Sequence, residues 1–167
     1  MKFMFRDCNG QIKGLDTWDT SNIVDMEELF HNTNTNLDGI AMWNTSNVNF
    51  MNNAFRNCGS LIDLRNWSWD TNKVINLDGM FYNCGNLEYI FDIDVTTCRE
   101  IGNMFFGCRN LKEVKFKGNV TFFDKINTNY VFEHCDALER IYIPQEYANS
   151  YTRIIENKPS HTEIVYY

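Results

Sequence analysis

Six cysteines carry the most reactive chemistry in this 167-residue chain, and most of them recur in one phrase. Residues 54–61 read AFRNCGSL, residues 80–87 MFYNCGNL and residues 104–111 MFFGCRNL. A thiolate that binds metal needs partners at metal-site spacing, yet no C-x-x-C pair joins Cys8, Cys58, Cys84, Cys98, Cys108 and Cys135. A thiolate that attacks a substrate needs a base within hydrogen-bond reach. His134 precedes Cys135 directly, but sequence neighbours do not meet in that geometry by default. His31 and His161 are scattered, with no H-E-x-x-H spacing. There is no glycine-rich phosphate loop, and the acidic residues show no glycosidase-like pairing. Asn44, Asn66 and Asn119 open glycosylation-acceptor patterns, as an Asn-rich chain does by accident. The expectation is a protein that is not an enzyme, with no catalytic residue, metal or cofactor.

The phrase belongs to a repeat. Phe5, Phe30, Phe55, Phe81, Phe105 and Phe132 are separated by 25, 25, 26, 24 and 27 residues. Three residues after each comes Cys8, Thr33, Cys58, Cys84, Cys108 or Cys135. An aliphatic pair three apart follows, as in Leu61/Leu64, Leu87/Ile90 and Leu111/Val114. Upstream lie Met26, Met51, Leu77 and Ile101, and before them Ile23, Val48, Val74 and Cys98. WDTSNI at 18–23 returns as WNTSNV at 43–48 and WDTNKV at 69–74. Asp7, Asn32, Asn57 and Asn83 form a further column, fit for side-chain hydrogen bonds from coil to coil.

A unit of this length cannot bury an apolar face alone, whereas stacked units share a core. The aliphatic pair with the alternation after it predicts a short strand. Leu77, Met80, Phe81 and Cys84 have the i, i+3, i+4 spacing of a helical or 3₁₀ turn. The expected class is an α/β repeat of six coils of 24–27 residues with a parallel sheet on one face, over residues 1–141. Residues 142–167 lack the repeat phrase and read as a C-terminal cap of the same domain, with a short helix around 145–156 and a strand at 163–167. No such cap precedes Phe5, so the N-terminal coil reads as open, which suggests either truncation or a homodimer through that end.

The Cys column is then a row of small core positions. Neighbouring coils would bring column Cα atoms to about 5 Å, inside disulfide range, but free thiols are expected at all six cysteines. The net charge of −7 and sequence pI near 4.9 argue against nucleic acid or an anionic membrane as the main partner. No apolar run is long enough to span a bilayer, and MKFMFRDCNG lacks the features of a signal peptide.

GLDTWDTSNIVDMEELF and GIAMWNTSNVNFMNNAF, together with CRNLKEVKF and CDALERIYIP, resemble the BspA-like leucine-rich-repeat family of bacterial surface proteins. IPQEYANSY is similar to that family's closing segment. The resemblance implies a right-handed leucine-rich-repeat solenoid that binds host or bacterial surface proteins, typically as an adhesin, at the cell surface or secreted. An intracellular interaction module in the cytoplasm and a structural spacer in a larger surface protein are the alternatives.

In such a solenoid the residues between the inward aliphatics face out. The outward row is expected to hold Asp63, Arg65 and Trp67, then Tyr89, Phe91 and Ile93, then Glu113, Lys115 and Lys117, then Arg140 and Tyr142. Aromatic residues beside charges suit a protein interface. In the fourth unit this facing sends Asp92 inward, unless the register slips by one. The column reading also makes a prediction: titration of the denatured chain should count six thiols, and a lower count would show a disulfide.

Overall fold

Backbone amides decide how the repeats meet, because each buried N–H needs an acceptor. The computed structural model of the chain describes residues 1–120 and 127–167. Thr121, which completes the acceptor pattern opened by Asn119, lies outside the described residues. In the second unit alternate amides donate to the next unit: Met26 to Phe50 O (2.8 Å), Glu28 to Asn52 O (3.0 Å), Phe30 to Ala54 O (2.8 Å) and Asn32 to Arg56 O (2.8 Å). The amides between them fold back three residues, from Leu29 to Met26 O, His31 to Glu28 O and Thr33 to Phe30 O. The same alternation recurs at 51–58, 77–84 and 101–108.

This ribbon replaces the helical turn that the apolar spacing predicts. Its backbone turns left-handed at Glu28 (φ 50°), Asn32 (56°), Asn53 (56°), Asn57 (60°), Gly79 (61°) and Asn83 (57°). A left-handed residue every fourth position prevents a helix, and at the third place of a turn it is the mark of type II geometry. Asn and Gly tolerate that conformation best, which accounts for their recurrence here. A turn also brings residues i and i+3 together, so the apolar spacing survives without a helix.

Side chains bolt the ribbons together. Cys58 Sγ donates to Phe30 O (2.8 Å), Cys84 to Phe55 O, Cys108 to Phe81 O and Cys135 to Phe105 O (3.0 Å each). Thr33 Oγ1 makes the same bond to Phe5 O at 2.5 Å. Thr33 therefore fits this column as a donor, and the position is more than a small apolar slot. Asn32 Nδ2 donates to Asp7 Oδ1 (2.7 Å), Asn57 to Asn32 Oδ1 (2.7 Å) and Asn83 to Asn57 Oδ1 (3.2 Å), so the expected ladder exists. Six phenylalanines stack from Phe5 to Phe132 with centroids 5.3–5.7 Å apart.

The Trp-Asx-Thr phrase forms a second set of bolts. Trp43 Nε1 donates to Leu15 O (2.7 Å) and Trp69 Nε1 to Ile40 O (2.9 Å). Buried Thr45 donates to Asp70 O (2.9 Å) and accepts from Asp70 N–H (2.7 Å). Thr20 and Thr71 clamp Asn44 and Asp94 in the same way. Each Asx then closes its own turn, as Asn44 Oδ1 does on the Ser46 amide (3.1 Å).

Strands form only where the sequence favours them. β1 (Ile93–Asp94), β2 (Glu113–Lys117), β3 (Arg140–Ile143) and β4 (Glu163–Tyr166) make one parallel sheet in that order. The strands expected in the first two units are absent, and the third has only an isolated bridge at Asp63. Leu15–Thr17 and Asp38–Ile40 are 3₁₀ turns instead, in segments whose Gly and Asp disfavour strand. The C-terminal segment begins with a 3₁₀ helix, Gln145–Tyr151, and returns as β4 beside β3. The fully buried Tyr151 donates to Gly118 O (2.7 Å).

Replacing Cys84 by Val, nearly isosteric with Thr, removes the donor to Phe55 O and should destabilise the chain by about 1 kcal/mol or more in denaturant unfolding. Cys84→Thr should retain more stability than Cys84→Val, and the reverse order would refute a donor role for this column.

Candidate functional site

A row of parallel bridges crosses one side of the molecule. Asp63 pairs with Tyr89, Tyr89 with Glu113, Glu113 with Arg140 and Arg140 with Glu163. Successive side chains therefore sit in rank, about 4.8 Å apart. The Arg65 guanidinium forks onto the Asp63 carboxylate, with Nε 3.0 Å from each oxygen, and lies 4.0 Å from the centre of the Tyr89 ring. This pairing holds the Asp63 carboxyl below its usual range. Lys112 approaches the same ring at 5.2 Å while paired to Glu88 at 2.5 Å. Farther along, Arg140 and the Tyr142 hydroxyl both lie 3.4 Å from Glu113 Oε2. Arg140 Nε is the one buried side-chain nitrogen or oxygen without a hydrogen-bond partner among the described residues.

Eight of the expected outward residues lie on this face: Asp63, Arg65, Tyr89, Glu113, Lys115, Lys117, Arg140 and Tyr142. Trp67 and Phe91 do not. They are 9% and 5% exposed and belong to the core, as does the fully buried Ile93. The cause is one extra residue in the fourth unit. Tyr89 pairs with Glu113 and Ile93 with Phe116, so four steps along one strand face three along the next. Ile90 and Phe91 are consequently buried side by side, and Asp92 turns outward. Trp67 turns inward for a different reason: its amide closes a turn on Leu64 O (3.0 Å), which ends the alternation in the third unit, and its ring then stacks on Phe91 with centroids 6.5 Å apart.

The slip builds a groove of about 700 Å³ that the sequence did not disclose. Buried Trp67, Trp69 and Phe91 lie along its floor. Arg65, Asp92, Lys115, Lys117, Tyr142 and Tyr167 form its rim. Asp92 accepts both Lys117 (3.0 Å) and Lys115 (3.3 Å), and Lys115 also lies 4.8 Å over the Tyr167 ring. Tyr167 is held in place by its hydroxyl on Phe116 O (2.7 Å). Reasoning from the sequence missed Asp92 and Tyr167. A pair of lysines two apart beside the only aspartate in an otherwise apolar run, YIFDI, was the available signal for Asp92. Nothing local in the sequence ties the last residue to the fifth unit.

The remaining chemistry is quiet. Burial pushes the Cys58, Cys98 and Cys135 thiols up to about 12, and Cys84 and Cys108 well above the ordinary thiol range. Such thiols are not thiolates at neutral pH, and each already donates to a carbonyl. Among the described residues no cluster of His, Cys, Asp and Glu has the arrangement to hold a metal ion, and no helix is long and apolar enough to cross a membrane.

A family model described as "Mycoplasma protein of unknown function, DUF285" matches residues 1–118. No curated protein and no solved structure matches the chain.

The burial pattern separates Cys8, which is only half-buried, from the other five thiols. Ellman's reagent at pH 8 should modify Cys8 of the native protein first and leave the others until unfolding. Fast modification of Cys84 or Cys108 would show that the column opens.

Proposed function

We propose that the chain, which belongs to the DUF285 family, is a non-catalytic protein-binding module: a leucine-rich-repeat solenoid similar to the BspA-like proteins. The reading rests on one observation above the rest. Coil-to-coil pairing holds a row of charges and aromatics, Arg65, Tyr89, Glu113, Arg140 and Tyr142, at fixed spacing on a rigid face. Tyr and Arg are enriched at interface hot spots, and little side-chain entropy remains to be lost where they are already paired. The repeat phrases support the leucine-rich-repeat assignment, and parallel pairing at repeat spacing is what such a solenoid requires. On the same resemblance the module works at the cell surface or in secreted form, on a host or bacterial surface protein.

The test is site-directed photo-cross-linking. A photoreactive phenylalanine analogue at position 89 or 142 should yield a common adduct that one at 47, on the exposed WNTSNV turn, does not. Arg65→Ser with Tyr89→Ser should weaken capture of that partner about tenfold without lowering the melting temperature. The same adducts from all three positions, or none from 89 and 142, would reject this face.

A further inference from the structure

The groove behind the charged row has a composition that narrows what can occupy it. Its floor is aromatic, but little of each ring is open. Trp67 stacks on Phe91 at 6.5 Å and lies tilted against Trp69 at 5.1 Å, and the three residues are only 9%, 5% and 5% exposed for Trp67, Trp69 and Phe91. A sugar ring, which needs a free aromatic face, is poorly served there. An aliphatic or aromatic side chain entering end-on is well served.

Charge distinguishes the other end. The chain carries a net charge of −7, yet the groove lining holds three cations, Arg65, Lys115 and Lys117, against two carboxylates, Asp92 and Glu113. Arg65 is committed to Asp63, and Glu113 to Arg140. That leaves two ammonium groups sharing the single carboxylate of Asp92. One positive charge is in excess at a half-exposed site beside the Tyr142 and Tyr167 rims, so the local field favours an anion.

Dimensions define the occupant further. From the unit of Trp67 to the strand of Tyr167 the groove crosses four strand steps, about 19 Å, the length of about six extended residues. The aromatic floor lies in the third and fourth units and the lysine pair in the fifth, one to two strand steps away, roughly 5–10 Å. In an extended peptide, residues i and i+2 point the same way about 6.6 Å apart.

We propose that the groove binds an extended acidic segment of a partner protein, with an apolar side chain at position i on the Trp67/Trp69/Phe91 floor and a carboxylate at i+2 on Lys115 and Lys117. This assignment rests on the protein-binding reading above and names the ligand class for it. The carboxylate displaces neither ion pair of the outer row. It supplies the second negative charge that the lysine pair lacks, while Asp92 keeps both ammonium groups aimed into the groove.

The test is selection of a displayed random six-residue peptide library on the full chain, repeated on Lys115→Gln/Lys117→Gln. Both lysines are surface residues, and an unchanged melting temperature would confirm that the variant folds. Wild-type protein should enrich sequences with Asp or Glu two residues after an apolar residue. A synthetic peptide of that pattern should bind at least tenfold more weakly to the double variant, and more weakly to wild type as salt rises from 50 to 300 mM. Absence of enrichment, enrichment without the carboxylate, or binding indifferent to the double substitution would overturn the assignment. If it falls while cross-linking at 89 and 142 still yields a common adduct, the face binds protein but not through this chemistry. Failure of both would remove the binding reading as well.

Discussion

The carbonyl of each of the first five repeat phenylalanines accepts two hydrogen bonds, and the rest of the stack depends on that constraint. Phe30 O takes the amide of Thr33 in its own turn at 3.0 Å and the thiol of Cys58 from the next unit at 2.8 Å. Phe55 and Phe81 repeat the arrangement with Cys84 and Cys108. Both lone pairs are satisfied at fully buried residues, where an orphaned acceptor would cost about 1–3 kcal/mol. The column must therefore be a small side chain with a donor, which admits Cys and Thr. The ring of the same phenylalanine stacks on its neighbours, so one residue sets spacing through its side chain and register through its backbone.

The outer face inherits this regularity. Its ion pairs are largely exposed, and pairs of that kind contribute little to stability, about 0–1 kcal/mol each. Their role is geometric. Asp63 holds the Arg65 guanidinium flat on Tyr89, and Asp92 holds two lysines at one end of an aromatic groove. The stack provides the rigidity and the surface charges provide orientation.

Much of the stack was legible because a period reports itself wherever each column has one demand. The Phe and Cys columns, the Asx ladder and the Trp-Asx-Thr clamp all appear in the sequence at their true places. The ribbon conformation was misread, since apolar spacing cannot separate a helix from a chain of turns. The discriminating signal was Asn or Gly at four-residue intervals, as in Asn53/Asn57 and Gly79/Asn83. The outward row was legible where strands alternate and failed at Trp67, Phe91 and Ile93. A turn from Leu64 to Trp67 ends the alternation in the third unit, and a single extra residue between Tyr89 and Ile93 exchanges the faces in the fourth. Asp92, which unbroken alternation would bury, is the mark of that slip in the sequence, but it does not disclose the groove that the slip leaves.

The ribbon is also polar along the stacking axis. Between neighbouring ribbons, the amides from Phe3 to Gly107 aim toward the next unit and the carbonyls that receive them aim back, so the small dipoles add instead of alternating as in a flat sheet. The first coil consequently offers a rank of oxygens at its outer edge, at positions 2, 4 and 6, counterparts of Glu27, Leu29 and His31. Two such coils brought face to face would set oxygen against oxygen. A symmetric pairing of N-terminal coils would forgo backbone bonds and rely on exposed side chains such as Phe3, Met4 and Trp18 alone. The joint between coils is a one-way coupling, and the neighbour that best fits the leading edge is another ribbon arriving in the same direction.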